Sequence, residues 1–403
     1  MANKYEEFIK EEWEKFTKED KLLPNIMLLG ATGCGKSSLI NVVFQRNLAP
    51  VNDASRGTDG FKTYRGKDFG LGVNLIDSRG YEMEDGSGES FSAYIDAIKS
   101  QMERNRKKAP LEKIHIVWFC ISIATGRIQE YDIEILKMLQ RDPDLRGRVV
   151  VALTKCDEDD GEGSTAKKFK EILAKDVGRG LPAFEVSTDP KLMLELELEQ
   201  LIDWSADQLD DADMKEAFIA SQMISLKKKR EAVAARIGFY SAAAAAIGAS
   251  PIPFSDAALL VPLQIAMSAD IIHQYGMENL ANISKAVIGN VVVTNLGKAF
   301  AGGLLKLFPG LGTWAGGAIN AGVALMITSA LGFAISTICF ECCKKIANGE
   351  EVNFDAMFAL ENIQSLVKQY LNTHKQSDVT IHETSDSKKY AEQYMSSYTG
   401  RKE

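Results

Sequence analysis

Short apolar runs and longer stretches of helical period alternate along residues 22–207. Strand-like runs fall near 25–29, 60–66, 71–77, 114–121, 149–153 and 183–187. Runs of this length, bounded by turn residues, predict strands in a sheet covered on both faces. Segments of period 3.6 between them predict helices. The alternation is that of an α/β domain with a mixed, mostly parallel sheet. Tyr81–Ser90, rich in Gly, Glu and Asp, reads as a mobile loop. A second acidic loop runs from Asp157 to Gly163.

The pattern changes after Lys227-Lys228-Lys229-Arg230. Between Ala232 and Phe340 there are only seven charged residues: Arg236, Asp256, Asp270, Glu278, Lys285, Lys298 and Lys306. Three apolar stretches stand out there. Ile237–Phe254 contains Ala242–Ala246 and ends in Pro251-Ile252-Pro253, and Ala257–Ala269 contains Pro262. Leu307–Phe340 carries no charge over 34 residues and is broken early by Pro309-Gly310-Leu311-Gly312. Trp314–Phe340 is long enough to span a bilayer, which takes about 20 apolar residues. Its Gly316, Gly317, Gly322, Ala324, Ala330 and Gly332 would let helices approach closely. Basic residues flank the region on both sides, at Lys227–Arg230 and at Lys344-Lys345. Basic flanks favour the cytosolic face, so an even number of passes would fit. A soluble helical bundle fits as well, because alanine is weakly hydrophobic, Pro251 and Pro253 interrupt, and Asp256 and Asp270 suit lipid poorly. Membrane association through residues 232–345 is the favoured expectation.

The resulting division is an amphipathic helix at 1–21, an α/β domain at 22–207 and a helical linker at 208–231. A hydrophobic helical domain at 232–347 follows, then a helix and disordered polar tail at 348–403. The first helix would place Tyr5, Phe8, Ile9, Trp13 and Phe16 on one face, unlike a signal peptide. Near the other end, Phe354–Leu371 reads as amphipathic. A net charge of −8 argues against nucleic acid as a partner. Six scattered cysteines suit a reducing cytoplasm rather than a disulfide framework. Cys342 and Cys343 border apolar and basic residues, where palmitoylation is conceivable, but ordinary thiols are the simpler reading. Cys339 and Cys342 have metal-ligand spacing without a second pair, and the four histidines show none, so Mg²⁺ is the one metal expected.

The sharpest chemical signal is Gly30-Ala31-Thr32-Gly33-Cys34-Gly35-Lys36-Ser37, followed by Ser38. It meets every fixed position of G-x-x-x-x-G-K-[ST] and lies between an expected strand and an expected helix. Glycines let successive N–H groups turn toward a phosphate, and the helix N-terminus adds partial positive charge. Lys36 would reach the β- and γ-phosphates, and the Ser37 hydroxyl would ligate Mg²⁺. Asp77, in Asp77-Ser78-Arg79-Gly80, ends an expected strand where a carboxylate can hold the Mg²⁺ shell. The Gly80 N–H could meet a γ-phosphate. The Thr58 hydroxyl, between the two motifs, is a further candidate Mg²⁺ ligand. Thr154-Lys155-Cys156-Asp157 follows another strand. A carboxylate at Asp157 can accept from the N1–H and exocyclic amine of guanine, an edge adenine lacks. Lys155 can lie along the base, and Ser187 can back it.

In order and spacing these motifs resemble the Era-like small GTPases of the translation-factor-related class, over about residues 22–207. The resemblance implies a P-loop GTPase domain binding GTP or GDP with Mg²⁺. It implies phosphate and metal roles for Lys36 and Ser37, and a first-switch role for Thr58. Asp77 and Gly80 would form the second-switch pair, with Lys36, Thr58 and Gly80 serving hydrolysis. Gly30–Ser38, Thr154, Lys155, Asp157 and Ser187 would cradle the nucleotide. Two positions depart from the pattern. Thr154 stands where Asn is usual, as in septin-, dynamin- and immunity-related GTPases. Tyr81 stands where Ras-like proteins carry the water-orienting Gln. Intrinsic hydrolysis should therefore be slow, with Arg79, a second protomer of a homodimer or a partner supplying the missing group. The segments Gly248–Asp256 and Gly310–Gly316 resemble a poorly characterised hydrophobic helical domain found behind Era-like GTPases, which implies association with membranes. Two functions follow as expectations. One is a GTPase coupled to an apolar domain at the cytosolic face of a membrane. The other is a soluble GTP-binding switch with negligible hydrolysis, acting through protein partners.

Overall fold

The computed structural model describes residues 22–45, 61–78, 89–249, 256–277, 321–348 and 350–374, with Ser387 and Lys389. Thr58, Arg79, Gly80 and Tyr81 lie outside the described residues, as do the expected N-terminal helix, the loop from Tyr81 to Gly88 and nearly all of the polar tail. The chain divides into two compact units, with the boundary between Ser225 and Leu226.

The first unit is built on a six-stranded sheet in the order β2-β3-β1-β4-β5-β6. The strands are β1 (Asn25–Leu29), β2 (Phe61–Tyr64), β3 (Asn74–Ser78), β4 (Ile114–Ser122), β5 (Val149–Thr154) and β6 (Ala183–Glu185). Only β2 runs antiparallel, against β3; the other pairs are parallel. β1, β4 and β5 are almost wholly buried, which is why their sequences read as continuous apolar runs rather than alternating ones. The helices are α1 (Lys36–Phe44), α2 (Gly66–Phe69), α3 (Glu89–Arg106), α4 (Glu130–Arg141), α5 (Ser164–Asp176), α6 (Leu198–Asp207) and α7 (Ala212–Ser221). One core gathers Met27, Leu29, Phe119, Val151, Ile98 and Phe169 from strands and helices together. This is a P-loop GTPase fold with a mixed, mostly parallel sheet, followed by a helical region.

Some expected strands are trimmed, for local reasons. β2 stops at Tyr64 because α2 begins at Gly66, whose N–H donates to Asn74 Oδ1 at 2.9 Å. β3 starts at Asn74 because Leu71–Val73 form a turn against α7. A Cβ on Gly72 would lie 2.1 Å from the Ala217 carbonyl oxygen, so no other residue fits there without movement. The Gly72 N–H donates to Ser221 Oγ at 3.1 Å, and the Met223 N–H to the Val43 carbonyl at 2.8 Å. The stretch 208–231 thus contains α7, fixed to the first unit, and the opening turns of the next helix. β6 ends at Glu185 because Val186 and Ser187 turn toward the loop after β5.

In the second unit the described helices are α8 (Leu226–Gly248), α9 (Asp256–Gln274), α10 (Ala321–Ala347), α11 (Phe354–Met357) and α12 (Leu360–Thr373). The helix expected at 354–371 is split at Phe358-Ala359. Pro262 lies within α9, where it removes one backbone hydrogen bond. Small faces allow close packing: a Cβ on Gly332 would meet Ile237 Cγ1 at 2.8 Å. Polar side chains pair across helices, Gln264 Nε2 with Thr328 Oγ1 at 3.2 Å, Ser329 with Ser241 at 2.8 Å, and Tyr275 with Ser336 at 3.0 Å. Among the described residues α10 is the one helix long and apolar enough to cross a membrane, and 78% of its most apolar window is buried within the protein.

Candidate functional site

The motif residues meet at the C-terminal edge of the sheet, where open parallel sheets bind ligands. The loop from Gly30 to Gly35 joins β1 to α1 and turns on three glycines with positive φ: Gly30 (134°), Gly33 (74°) and Gly35 (94°). At Gly30 a side chain is excluded twice, by φ and by the Cys120 carbonyl oxygen 2.3 Å from any Cβ. No side chain caps the first turn of α1, so its leading N–H groups are available to an anion. Ser37 and Ser38 are exposed at that turn. Lys36 is buried and folds back, donating to the Gly30 carbonyl at 2.8 Å and the Ala31 carbonyl at 3.0 Å.

Asp77 pairs with Leu28 in the β1–β3 register, which brings it next to the start of the loop. Its Oδ1 is buried and has no hydrogen-bond partner. Burial raises the Asp77 pKa, against the opposing pull of Lys36 and Lys62. An orphaned, buried carboxylate oxygen beside a phosphate loop is chemically suited to a divalent cation. Ser37 and Asp77 therefore fit Mg²⁺; Thr58, the third expected ligand, lies outside the described residues.

The segment expected to read the base follows β5. Thr154 pairs with Ser122 in the β4–β5 register, and its hydroxyl donates to the Cys34 carbonyl. Threonine at this position thus still ties the base-reading loop to the phosphate loop. Lys155 adopts the left-handed conformation (φ 59°), which turns the chain so that Asp157 is exposed. The Ser187 hydroxyl donates to Asp157 Oδ1 at 2.5 Å and accepts from the Asp189 N–H at 2.9 Å. Ser187 thus orients the Asp157 carboxylate. The acidic loop that follows is built for capping: Asp159 Oδ2 accepts from Ala166 N–H at 2.9 Å and Asp160 Oδ1 from Ser164 N–H at 2.8 Å, at the start of α5.

A cavity of about 650 Å³ is lined by Ala31–Cys34 of the loop, Cys120–Ser122 of β4, Gln129–Asp132 in part, and Lys155. A second, of about 640 Å³, is lined by Leu22, Asn25 and Leu111 near the opposite strand ends and contains none of the motif residues except β-strand neighbours of Asp77. The chemistry selects the first. Sequence reasoning missed Tyr94, on α3. Its hydroxyl accepts from the Gly30 N–H at 3.3 Å and bonds Ser78 Oγ at 3.2 Å, joining the phosphate loop to the end of β3. It also missed Cys120, because neither residue belongs to a linear motif.

Residues 25–155 match the family model described as 50S ribosome-binding GTPase. Septin-8-A of Danio rerio is 25% identical over 189 residues, 43% of this chain and 43% of that protein. GTPase Der of Chloroherpeton thalassium is 25% identical over 173 residues, 43% of this chain and 35% of that protein. The chain thus spans less than half the length of the curated relatives it matches. Among solved structures, a probable GTP-binding protein engB is 18% identical with a TM-score of 0.33, over 46% of this chain and 97% of that one. Toc33 from Arabidopsis thaliana, in complex with Mg²⁺ and GMPPNP, is 15% identical with a TM-score of 0.30, over 47% of this chain and 80% of that one.

Proposed function

We propose that the chain binds GTP and GDP with Mg²⁺ and hydrolyses GTP, with its nucleotide state coupled to the helical unit. The observation that carries the reading is convergence at one sheet edge. An uncapped helix start, buried Lys36, the orphaned Asp77 Oδ1 and an oriented Asp157 lie on the loops at that edge, where Ala31–Cys34 and Lys155 line a cavity. Each has a distinct task. The N–H groups and Lys36 hold phosphates; Ser37 and Asp77 would hold Mg²⁺, which supplies neutralisation of developing phosphate charge when bound. Asp157 selects guanine because its acceptors match the donors of that base. Binding of labelled GTP, GDP and ATP tests this. GTP and GDP should bind and ATP should not, and Asp157→Ala should lose the discrimination. Equal affinity for ATP and GTP in the wild type would sink the assignment.

Hydrolysis should be slow in the isolated protein, because Tyr81 replaces the usual Gln, and should rise when a second protomer or a lipid surface supplies the missing group. The support is the sequence at that position. Turnover measured against protein concentration, with and without liposomes, checks it; a fast rate flat in both would overturn it. Association with the cytosolic face of a membrane is supported by the charge-poor region and its basic flanks. Burial of most of the apolar window of α10 is compatible also with the second reading, a soluble regulatory GTP-binding switch with negligible hydrolysis acting through protein partners. Sedimentation with liposomes and carbonate extraction separate the two.

A further inference from the structure

β6 is three residues long, lies at an edge of the sheet and pairs with β5 alone among the described strands. It leads directly into Ser187, which holds the Asp157 carboxylate. So short a ladder offers few hydrogen bonds, and other contacts place the strand end. Three charged side chains supply them. Lys170, on α5, sets its Nζ 2.8 Å from Glu185 Oε1 and 2.6 Å from Glu197 Oε2. Glu185 is the last residue of β6, and Glu197 immediately precedes α6. Glu197 Oε2 also accepts from the Glu185 N–H at 2.8 Å, and the Glu197 N–H donates to the Glu185 carbonyl at 2.8 Å. The side chains are 29% exposed at Lys170, 20% at Glu185 and 37% at Glu197, so water screens this cluster less than a fully exposed ion pair.

The contacts close a ring around the base-reading candidate. On one side, Asp159 and Asp160 follow Asp157 and cap the start of α5, the helix that carries Lys170. On the other, Lys170 grips Glu185, and the chain runs on through Val186 to Ser187 and back to Asp157. Val186 is fixed to the loop after β5: its N–H donates to the Leu153 carbonyl at 2.8 Å, and its carbonyl accepts from the Cys156 N–H at 3.2 Å.

We propose that Lys170, bridging Glu185 and Glu197, is a positioning residue for guanine selection, holding Ser187 where it aims the Asp157 carboxylate at the base edge. The inference rests on the reading of Asp157 as the residue that selects guanine. Without the ammonium, two carboxylates stand side by side and repel. Glu197 then leaves the Glu185 N–H, and the end of β6 moves with Ser187 attached. A contact through two acceptors depends on orientation, whereas phosphate binding by the glycine loop does not pass through β6. Base selection therefore suffers more than phosphate affinity. A cluster that only stabilised the edge strand would change the melting temperature and leave base selection alone.

The test measures GDP and IDP affinity of the full chain in Mg²⁺ by titration calorimetry, with a thermal melt beside it. IDP keeps the N1–H of guanine and lacks the exocyclic amine, so the ratio of the two affinities reads the second half of the Asp157 contact. Lys170→Met should lower the wild-type preference for GDP by about threefold to tenfold, the range for one misaligned hydrogen bond. Lys170→Arg should restore it, because a guanidinium can bridge the same two carboxylates. Lys168→Met, at an exposed position of the same helix, should leave it unchanged, which separates placement from charge. Glu197→Gln keeps an oxygen acceptor for the Glu185 N–H and is the milder variant should Lys170→Met fold poorly; it should lower the preference in the same direction. Ser187→Ala should lower it too, and adding Lys170→Met to that variant should lower it no further. A selective wild type whose Lys170→Met or Glu197→Gln variant folds and keeps the full preference overturns this inference alone, as does an additive double variant. A wild type that binds GDP no better than IDP overturns the proposed reading of guanine by Asp157, and this inference with it.

Discussion

Two buried lysines, one in each unit, make the same kind of contact to opposite ends. Lys36 is 8% exposed and donates to the carbonyls of Gly30 and Ala31. Lys229 is 0% exposed and donates to the carbonyls of Gln274 at 3.4 Å and Tyr275 at 3.1 Å. The carbonyls at Lys229 end α9, where the last turn lacks intrahelical partners and carries partial negative charge, so the ammonium completes that helix end. The carbonyls at Lys36 belong to a glycine loop beside a cavity, and stronger acceptors than a carbonyl can displace them. Burial of a cation is therefore no sign of function by itself. What separates the two is where the accepting carbonyls lie, at a helix end in one unit and in a glycine loop beside a cavity in the other. In the helical unit Arg236 reaches the buried Asp270 at 3.6 Å, and serines, threonines and glutamines answer one another across helices. In the GTPase unit Asp77 Oδ1 and the first turn of α1 are left for something to complete.

Substituting both lysines by methionine, which keeps the volume, breaks the comparison apart. Lys36→Met should weaken GTP binding by about 2–3 kcal/mol, roughly 30–150-fold, since a charge-assisted contact is lost. Its melting temperature should hardly move. Lys229→Met should do the reverse: a loss of about 2 kcal/mol in unfolding stability from unmatched carbonyls, with GTP affinity within about twofold of wild type. Titration calorimetry and denaturant melts read both. A Lys229→Met protein that melts normally but binds nucleotide poorly would erase the distinction drawn above.

Asp77 sharpens the contrast through pH. Its folded pKa is raised by burial, so the fold favours the protonated form. Its stabilising contribution is full below the ordinary aspartate range and is lost as pH rises through the raised value. Asp159 and Asp160 have lowered pKa values, and theirs is lost in the opposite direction, as pH falls. The difference in melting temperature between wild type and Asp77→Asn isolates the Asp77 contribution. Without Mg²⁺, wild type should lose ground to Asp77→Asn as pH rises from about 4 to 7. Saturating Mg²⁺–GDP should reverse that trend, because the cation answers the carboxylate. A difference independent of pH in both conditions would remove Asp77 from the metal site.

Legibility in the sequence differs between the units for the same reason. The glycine loop, Asp77 and Thr154–Asp157 lie in linear motifs next to buried strands, so spacing alone names most of the candidate site. The ends of β2, β3 and β6 were misjudged because they depend on distant partners: Asn74 for Gly66, Ala217 for Gly72, and the loop after β5 for Val186. Ser187 was found as a motif residue, but its bond to Asp157 spans 30 positions and has no local signature. In the helical unit composition announced helices without saying what each faces. Phe354–Leu371 looked continuous because the break at Phe358-Ala359 comes from packing, with Phe358 buried and Ala359 extended, rather than from glycine or proline.

The finest test of the contrast concerns Tyr94, which no motif marks. Its ring hydroxyl is buried between the Gly30 N–H and Ser78 Oγ, at 3.3 and 3.2 Å. Burial also raises its pKa, so it stays neutral and can accept from Gly30. The helix that carries it follows directly on the Tyr81–Gly88 stretch, and Ser78 directly follows Asp77. Tyr94 therefore links the loop proposed to hold phosphate to the strand end expected to sense it. Tyr94→Phe keeps the ring and removes that link, at a cost of about 1 kcal/mol of stability for a buried hydrogen bond. A purely structural tyrosine would lose that stability and leave the ratio of GTP to GDP affinity untouched. A linking tyrosine should shift the ratio by about threefold to tenfold, because Gly30 and Ser78 would no longer move together. Paired affinity measurements at one Mg²⁺ concentration read the ratio directly, and an unchanged ratio with a lowered melting temperature would assign Tyr94 to the matched, structural class that Lys229 represents.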